Sequence, residues 1–288
     1  MELRVLNYFL MVAREENITK AAQLLHITQP TLSRQIAQLE EELGVKLFQR
    51  SNHNIILTDD GMLLKRRAQE LVSLAEKTKQ EFSYGEEISG VVSIGSGELK
   101  SMQFLSEAIV SFRQKYPKVR FEIYSGNSDH IKERIERGLL DLGLLLEPVD
   151  IGKYDFMHTN EKEEWYALVS ENSPLAKKDI VTPRDFCDIP LIFTCRELVQ
   201  NQIYNWLGEY ADEDNITASG NLLYNIAILA RSELGAVITI RLDCEYHGMK
   251  YIPLSPKIES GTVLVWKKTQ TFSRATEAFI SHVREMLK

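Results

Sequence analysis

The chain opens with two short amphipathic segments separated by a tight turn. The first has apolar residues three or four positions apart, namely Ile18, Ala21, Ala22 and Leu25. The second has an apolar stripe at spacings of four, three and four, formed by Leu32, Ile36, Leu39 and Leu43. Asn17 is the predicted N-cap of the first segment. The spacer 26–28 leaves room only for a turn, so the pattern predicts a helix-turn-helix.

The second predicted helix carries polar and basic side chains toward its amino end. At 100° per residue, Pro30, Arg34 and Gln38 point away from the apolar stripe, and Thr31 and Ser33 lie on its flanks. Glu40, Glu41 and Glu42 close its carboxyl end. Because phosphates repel carboxylates, only the amino half can enter a DNA groove, aided by the positive end of the helix dipole. Amide, guanidinium and hydroxyl groups suit base edges and phosphates. The candidate DNA contacts are Thr28, Gln29, Pro30, Thr31, Ser33, Arg34 and Gln38. From spacing alone, an ordinary helical hairpin with a solvated polar face fits equally well.

A polar turn after the second helix predicts a β-hairpin wing. Gly44 is a helix C-cap signal, residues 50–54 are polar, and Ile55–Leu57 is a short strand candidate. A wing in this position touches the DNA backbone or the minor groove. Arg50 and His53 are therefore further candidate DNA contacts.

These first sixty residues closely resemble the amino-terminal signature of LysR-type transcriptional regulators. The matching positions are Ala21-Ala22, Leu25, Gln29-Pro30, Ser33, Leu39-Glu40, Leu43-Gly44, Leu47-Phe48, Arg50, Leu57-Thr58 and Gly61. The resemblance implies a winged helix-turn-helix DNA-binding domain over residues 1–58. The wing tip departs from the family, because Asn52, His53 and Asn54 replace its usual basic residues. That departure predicts a weaker or pH-sensitive contact of the wing with DNA.

Composition restricts how this protein binds nucleic acid. Lys and Arg number 34 against 41 Asp and Glu, and the net charge is −7, which argues against broad coating of nucleic acid. The positive footprint of the first domain is small, so one copy is expected to bind DNA weakly. A dimer would double the phosphate contacts.

The segment 59–87 predicts a linker helix that dimerises. Thr58 is a suitable cap, and the apolar seam with coiled-coil spacing consists of Leu64, Ala68, Leu71, Ala75, Thr78 and Phe82. A core helix of one large domain is the alternative. Residues 83–87 then break the helix and predict a hinge.

The remaining two hundred residues alternate between strand-like and helix-like segments. Strands are predicted at 91–95, 120–124, 141–146, 165–169, 190–193, 236–239 and 262–266, and helices at 102–115, 128–137, 198–207, 222–231 and 273–287. This alternation predicts an α/β fold with a mostly parallel sheet and a ligand cleft at the carboxyl ends of its strands. Looser motifs resemble the periplasmic-binding-protein-like sensor domain of the LysR family. The resemblance implies an effector-binding domain at 88–288, with one subdomain at about 88–161 plus 266–288 and another at about 162–265.

Turns at strand ends supply the candidate effector contacts. They are Ser96, Gly97, Glu98, Lys100, Asn127, Ser128, Thr194 and Arg196. A strand-to-helix turn offers free backbone N–H groups to an anion. Glu98 would repel an anionic effector and Lys100 would attract one, so the ligand charge stays open. Helix capping and plain loop chemistry are the alternative roles of these residues.

The cysteines raise a redox alternative. Cys187, Cys195 and Cys244 are few, and the chain lacks a signal peptide, so a reduced cytoplasm is the expected location. Cys195 lies beside Arg196, which could lower a thiol pKa, and a peroxide-sensing branch of the LysR family uses a cysteine in this neighbourhood. That branch has a partner cysteine a few residues downstream, which is missing here.

Enzyme classes find little support in the sequence. Its six histidines lack metal-ligand spacing, and no GxSxG, GxGxxG or P-loop motif occurs, so neither a metal nor another cofactor is expected. A solute-binding protein for transport would fit residues 88–288 alone. The prediction is a cytoplasmic transcriptional regulator of LysR type. Its expected partners are a double-stranded DNA operator, a small-molecule effector, further copies of itself as a dimer or dimer of dimers, and RNA polymerase, without a membrane.

Overall fold

The computed structural model describes residues 1–50, 55–81 and 87–288, with the backbone alone described for Arg50, Gln80 and Glu81. The chain forms two compact units, Met1–Tyr84 and Gly85–Lys288. The predicted DNA contact His53 lies outside the described residues. Phe82 and the predicted hinge, apart from Glu87, lie outside them as well.

The first unit contains the predicted helix-turn-helix and wing. Its elements are α1 Leu3–Glu15, α2 Ile18–Leu24, α3 Gln29–Leu43, β1 Phe48–Arg50, β2 Ile55–Leu57 and α4 Asp59–Glu81. Asn17 caps α2 by accepting a hydrogen bond from the Lys20 backbone N–H at 3.0 Å, as predicted. Gly44 ends α3 with a φ of 70°, a conformation that favours glycine. β1 and β2 pair antiparallel.

The core of the first unit confirms most of the predicted apolar stripe. Leu32, Ile36 and Leu39 are buried, together with Phe9 of α1. The spacing predicts Leu43 in the same stripe, but it is 39% exposed. That part of the prediction is wrong, because Leu43 is the last residue of α3 and lies beyond the packed core.

The residues of the predicted seam lie on two sides of the long helix α4, one packed inward and one exposed. Ala68 is buried and Leu64 packs against the core of the first unit, whereas Leu71 is 41% exposed. Leu63 and Leu74 are also exposed. At 100° per residue, these two leucines and Leu71 form a stripe beside the inward-facing one. The outward apolar stripe of α4 is therefore Leu63, Leu71 and Leu74.

In the described part of the second unit, nine strands form one sheet covered by helices. The strands are β3 Gly90–Ser96, β4 Val119–Ser125, β5 Leu142–Leu146, β6 Tyr154–Ser170, β7 Leu191–Thr194, β8 Ile216–Gly220, β9 Ala236–Ile240, β10 Met249–Pro253 and β11 Glu259–Lys267. The helices are α5 Met102–Lys115, α6 Ser128–Glu136, α7 Glu197–Leu207, α8 Leu223–Arg231 and α9 Arg274–Met286. The α/β class is therefore confirmed.

The prediction of a mostly parallel sheet is wrong for the sheet as a whole, because two parallel blocks meet through long antiparallel strands. The order is β4-β3-β5-β11-β6-β9-β7-β8, with β10 on β6. β3 runs parallel to β4 and β5, and β7 runs parallel to β8 and β9. β6 and β11 pair antiparallel with each other and connect the halves. The subdomain bounds stay a prediction. Because Thr262–Val265 pair with β5 of the first half, the structure favours a return of the chain to the first subdomain before residue 262 rather than after residue 265.

Candidate functional site

The amino end of α3 presents a compact polar surface. Thr28 is the N-cap, and its hydroxyl accepts from the Thr31 backbone N–H at 3.4 Å. Pro30 lies in the first turn, where a missing N–H costs nothing. The candidates Thr28, Gln29, Pro30, Thr31, Arg34 and Gln38 are exposed, and Ser33 is half-buried. Thr28 caps α3 and the other six lie on it, so the structure brings these predicted residues together.

Hydrogen bonds along α3 hold its amide side chains in place. Gln29 Nε2 donates to Ser33 Oγ at 2.8 Å, and Gln35 Nε2 donates to Gln38 Oε1 at 3.0 Å. Contact with a base edge would exchange these bonds for bonds to DNA. Arg34 is exposed, and no described carboxylate forms an ion pair with it. Its guanidinium is therefore available for a phosphate or a guanine edge.

Glu40 fastens α3 to the wing, a role that sequence reasoning missed. Its carboxylate accepts from the backbone N–H groups of Leu47 at 2.9 Å and Phe48 at 3.3 Å, and from Lys46 Nζ at 2.7 Å. Burial acts to raise the pKa of Glu40, but the hydrogen bonds from Lys46 and the backbone outweigh burial and lower it. Glu40 therefore fastens the carboxyl end of α3 to the segment that begins the wing.

A cleft of about 100 Å³, open to solvent, lies in the second unit. The predicted residues that line it are Gly97, Glu98, Asn127, Ser128, Thr194 and Arg196. Its apolar wall consists of Leu99, Leu146, Trp165, Val199, Leu222, Leu223, Ile226, Ile238 and Ile240. The lining comes from the carboxyl ends of strands in both halves of the sheet, the expected position for a ligand site.

Two predicted effector residues do not reach the cleft. Ser96 is buried, and its hydroxyl donates to the Gly97 carbonyl at 2.9 Å. Lys100 is exposed and does not line the cleft, while its backbone N–H donates to Glu163 at 3.1 Å. The same buried carboxylate accepts from the backbone and hydroxyl of Ser101, both at 2.8 Å. The N–H groups expected to be free for an anion at the start of α5 are thus bound by Glu163.

Arg196 is buried in the cleft wall with only 6% of its surface exposed. Both terminal nitrogens donate to the Leu146 carbonyl at 3.3 Å, and one also donates to the Pro148 carbonyl at 2.9 Å. Its Nε has no hydrogen-bond partner. Burial lowers the pKa of Arg196, while the charge of Asp129 acts in the opposite direction. The guanidinium of Arg196 therefore has neutral carbonyls, rather than a carboxylate, as its hydrogen-bond partners.

Glu98 spans the cleft from the first half of the sheet to the second. Its carboxylate accepts a hydrogen bond from the backbone N–H of Leu223, the first residue of α8. Asn127 has a local role, because its side chain caps α6 by accepting from the His130 N–H at 2.9 Å. The sequence offers no signal for the partner of Glu98, because Leu223 lies 125 positions away.

The three cysteines are free and exposed. The Arg196 guanidinium contacts the carbonyls of Leu146 and Pro148 rather than the Cys195 thiol. Within the described residues, no group of three or more His, Cys, Asp or Glu side chains could hold a metal ion. No described helix has the length and apolar character needed to cross a membrane.

Comparison with known proteins connects both units to one group of regulators. The model of the bacterial regulatory helix-turn-helix proteins of the lysR family matches residues 3–62, and the model of the LysR substrate binding domain matches residues 85–288. YybE of Bacillus subtilis (strain 168), named an uncharacterized HTH-type transcriptional regulator, is 30% identical over 99% of this chain and 100% of its own. The HTH-type transcriptional regulator BsdA from the same organism is 35% identical over 83% of each chain.

A solved relative shares the fold along the full length. Full-length CbnR complexed with its target DNA superimposes with a TM-score of 0.73, covering 99% of both chains. Its sequence is 18% identical. At that identity the similarity concerns the fold alone.

Proposed function

The chain belongs to the LysR family of DNA-binding transcriptional regulators, and from that premise we propose how its own residues read DNA and sense an effector. The amino end of α3 enters the major groove of an operator, and a small molecule in the cleft of the second unit changes that binding. The observation that carries the proposal is the segregation of exposed donors to the amino end of α3, with carboxylates confined to its other end.

Gln29, Ser33 and Arg34 are the proposed base and phosphate contacts. Gln29 and Arg34 carry the donor geometries that suit adenine and guanine edges. Thr28 and Thr31 lie at the helix amino end, where the dipole favours a phosphate. Pro30 packs along the DNA backbone, and Gln38, Arg50 and His53 make further contacts with DNA. The wing tip of this chain lacks the basic residues that are usual in the family, so α3 supplies most of the DNA contacts.

The protein acts as a dimer, or as a dimer of dimers. Ion pairs of Lys20 with Glu15 and of Lys46 with Glu40 reduce the positive charge around α3. The outward apolar stripe of α4 supplies a surface for a second copy. Two copies double the phosphate contacts on a pseudo-palindromic operator.

A ligand in the cleft is proposed to change how copies of the protein pack against each other, and therefore the spacing between their α3 helices. The bonds from Glu98 to Leu223 and from Arg196 to Leu146 connect the two halves of the sheet around the cleft. A ligand that changes these bonds stabilises one arrangement of the halves over the other. RNA polymerase is the downstream partner, the cytoplasm is the location, and the protein performs no catalysis of its own.

Operator binding tests the assignment of α3. Duplexes enriched by the full-length protein from a random pool serve as the operator, and affinity is measured by fluorescence anisotropy. Replacing Gln29, Ser33 or Arg34 by alanine is expected to cost about 1–3 kcal/mol of binding free energy. Each variant should keep the thermal stability of the parent, because these side chains lie outside the core.

Gln103→Ala is the matched control, since Gln103 is an exposed glutamine of the second unit. It should bind the operator as the parent does. If all three α3 variants also bind normally, α3 is not the reading helix. The Cys195 alternative is tested on the same DNA: a change of binding with peroxide that disappears in Cys195→Ser would favour it.

A further inference from the structure

The cleft contains a buried cation whose charge is not balanced by a neighbouring carboxylate. The guanidinium of Arg196 meets the neutral carbonyls of Leu146 and Pro148, and no described carboxylate lies within ion-pairing distance. Burying an unpaired charge is costly, and so is leaving a buried N–H without a partner. Arg196 combines both costs in a residue that lines a cleft.

The nearest acidic influence on Arg196 is weak. Asp129 acts on its pKa at a distance, but Asp129 is exposed in the first turn of α6 and lies 3.6 Å from Lys132 Nζ. Water and Lys132 therefore screen this carboxylate. Asp129 therefore balances little of the charge of Arg196.

Glu98 is the carboxylate of the cleft lining, and its charge is already engaged. It accepts from the Leu223 N–H at the amino end of α8, where the helix dipole favours negative charge. Glu98 therefore repels an incoming anion less than a free carboxylate would. Lys100, the cation expected from the sequence to attract an anion, lies outside the cleft.

Neutral donors and an apolar wall complete the surroundings of Arg196. Thr194 Oγ1 accepts from the Arg196 backbone N–H at 3.3 Å, which leaves the Thr194 hydroxyl proton for another acceptor. Leu146, Trp165 and Val199 belong to the apolar lining of the same cleft. A ligand that fits must combine a negative head with an apolar body.

We propose that the effector is a small organic anion, with its head group bound by Arg196 and Thr194 and its apolar body against Leu146, Trp165 and Val199. This inference rests on the proposed function, since it assigns the chemical class of the molecule that the cleft senses. Arg196 also joins the two halves of the sheet, so binding of an anion there changes the bonds that hold the halves together.

The test uses thermal unfolding of the full-length protein with matched pairs of probes. Straight-chain and phenyl-substituted monocarboxylates of four to nine carbons are each compared with the amide of the same carbon skeleton. At least one carboxylate should raise the melting temperature in a saturable manner, while its amide should not. Equal stabilisation by acids and amides, or none by any carboxylate up to tens of millimolar, would overturn the proposal.

Variants identify the group that binds the anion. Arg196→Gln removes the charge but keeps donors, and it should weaken binding of the stabilising carboxylate by about tenfold to a hundredfold. Arg196→Lys keeps the charge and should retain most of the binding. Glu98→Gln keeps an acceptor for Leu223 and removes a like charge, so it should tighten binding severalfold. Unchanged affinity in Arg196→Gln overturns the assignment, and the melting temperature without probe reveals any folding defect.

Operator binding separates this inference from the function on which it rests. If a neutral metabolite stabilises the protein and changes operator affinity while the carboxylates fail, the cleft is still a sensor and the anion inference is wrong. If occupation of the cleft never changes operator affinity, the proposed effector response itself is wrong.

Discussion

Glu40 shows how one side chain can link two parts of a DNA-binding unit. Its carboxylate accepts three hydrogen bonds, from Lys46 and from the backbone of Leu47 and Phe48. All three favour the ionised form and lower the pKa, against the opposing effect of burial. A carboxylate with a lowered folded-state pKa adds stability above its unfolded pKa, and this stability is lost as the pH falls through the folded value.

Glu40→Gln should therefore lower the free energy of unfolding at pH 7 by about 1–3 kcal/mol. The difference from the parent should shrink as the pH falls below the ordinary glutamate value of 4.5. Urea unfolding of the full chain at several pH values measures both effects. Glu41→Gln is the matched control, because Glu41 is the exposed neighbour. A difference that does not depend on pH would mean that charge is not the cause.

At the scale of single residues, exposure was predictable and distant partners were not. The periodicity of α3 places Pro30, Arg34 and Gln38 on the face away from the apolar stripe, and all three are exposed. The partners of Glu40 depend on the reversal of the chain after Gly44, which brings residues seven and eight positions away back to the helix. Periodicity within one helix carries no information about such a return.

At the scale of elements, strands with a regular apolar pattern were predicted and mixed ones were missed. β3 and β9 are buried along most or all of their length and match predicted strands. β6 extends over Tyr154–Ser170, yet only its apolar end was predicted, because the segment 158–164 is rich in charged residues. β10 was not predicted at all, since its pairing with β6 decides its conformation.

The outward apolar stripe of α4 gives a prediction at this scale. Leu63, Leu71 and Leu74 are 54%, 41% and 38% exposed, and burying a leucine fully is worth about 1.5–3 kcal/mol. The double variant Leu71→Ser/Leu74→Ser should weaken self-association tenfold or more, as measured by sedimentation equilibrium. Its circular dichroism should match the parent, because neither side chain belongs to the core.

Substitution on the opposite side of α4 provides the control. Gln69→Ser/Glu76→Ser changes two exposed polar residues away from the stripe and should leave the association constant unchanged. Equal association of the parent and the leucine variant would exclude the stripe as the contact between copies. The seam predicted from spacing included Leu64 and Ala68, which the core of the first unit already covers.

At the scale of the whole molecule, the position of the cleft was predictable, but its electrostatics were not. Turns at the carboxyl ends of strands identified Gly97, Thr194 and Arg196, because parallel strands place these ends at one edge. Arg196 donates to the carbonyl of Leu146, and Glu98 accepts from Leu223. Both bonds join residues from different halves of the sheet. Such pairings follow from tertiary packing, so the sequence left the ligand charge open.

The salt dependence of operator affinity tests whether two copies of the protein bind DNA together. Arg34 is without an ion pair among the described residues, whereas Lys20 and Lys46 are paired with Glu15 and Glu40. Binding that exchanges the carboxylate partners of Lys20 and Lys46 for phosphates gives about three phosphate contacts per copy together with Arg34. A dimer should then give a log–log slope near −5, and a single copy about half of that. Leu71→Ser/Leu74→Ser, measured at concentrations where it is monomeric, should therefore show half the slope of the parent. Equal slopes would contradict binding of DNA by two copies, and a nearly flat response in both proteins would contradict the phosphate contacts of α3 themselves.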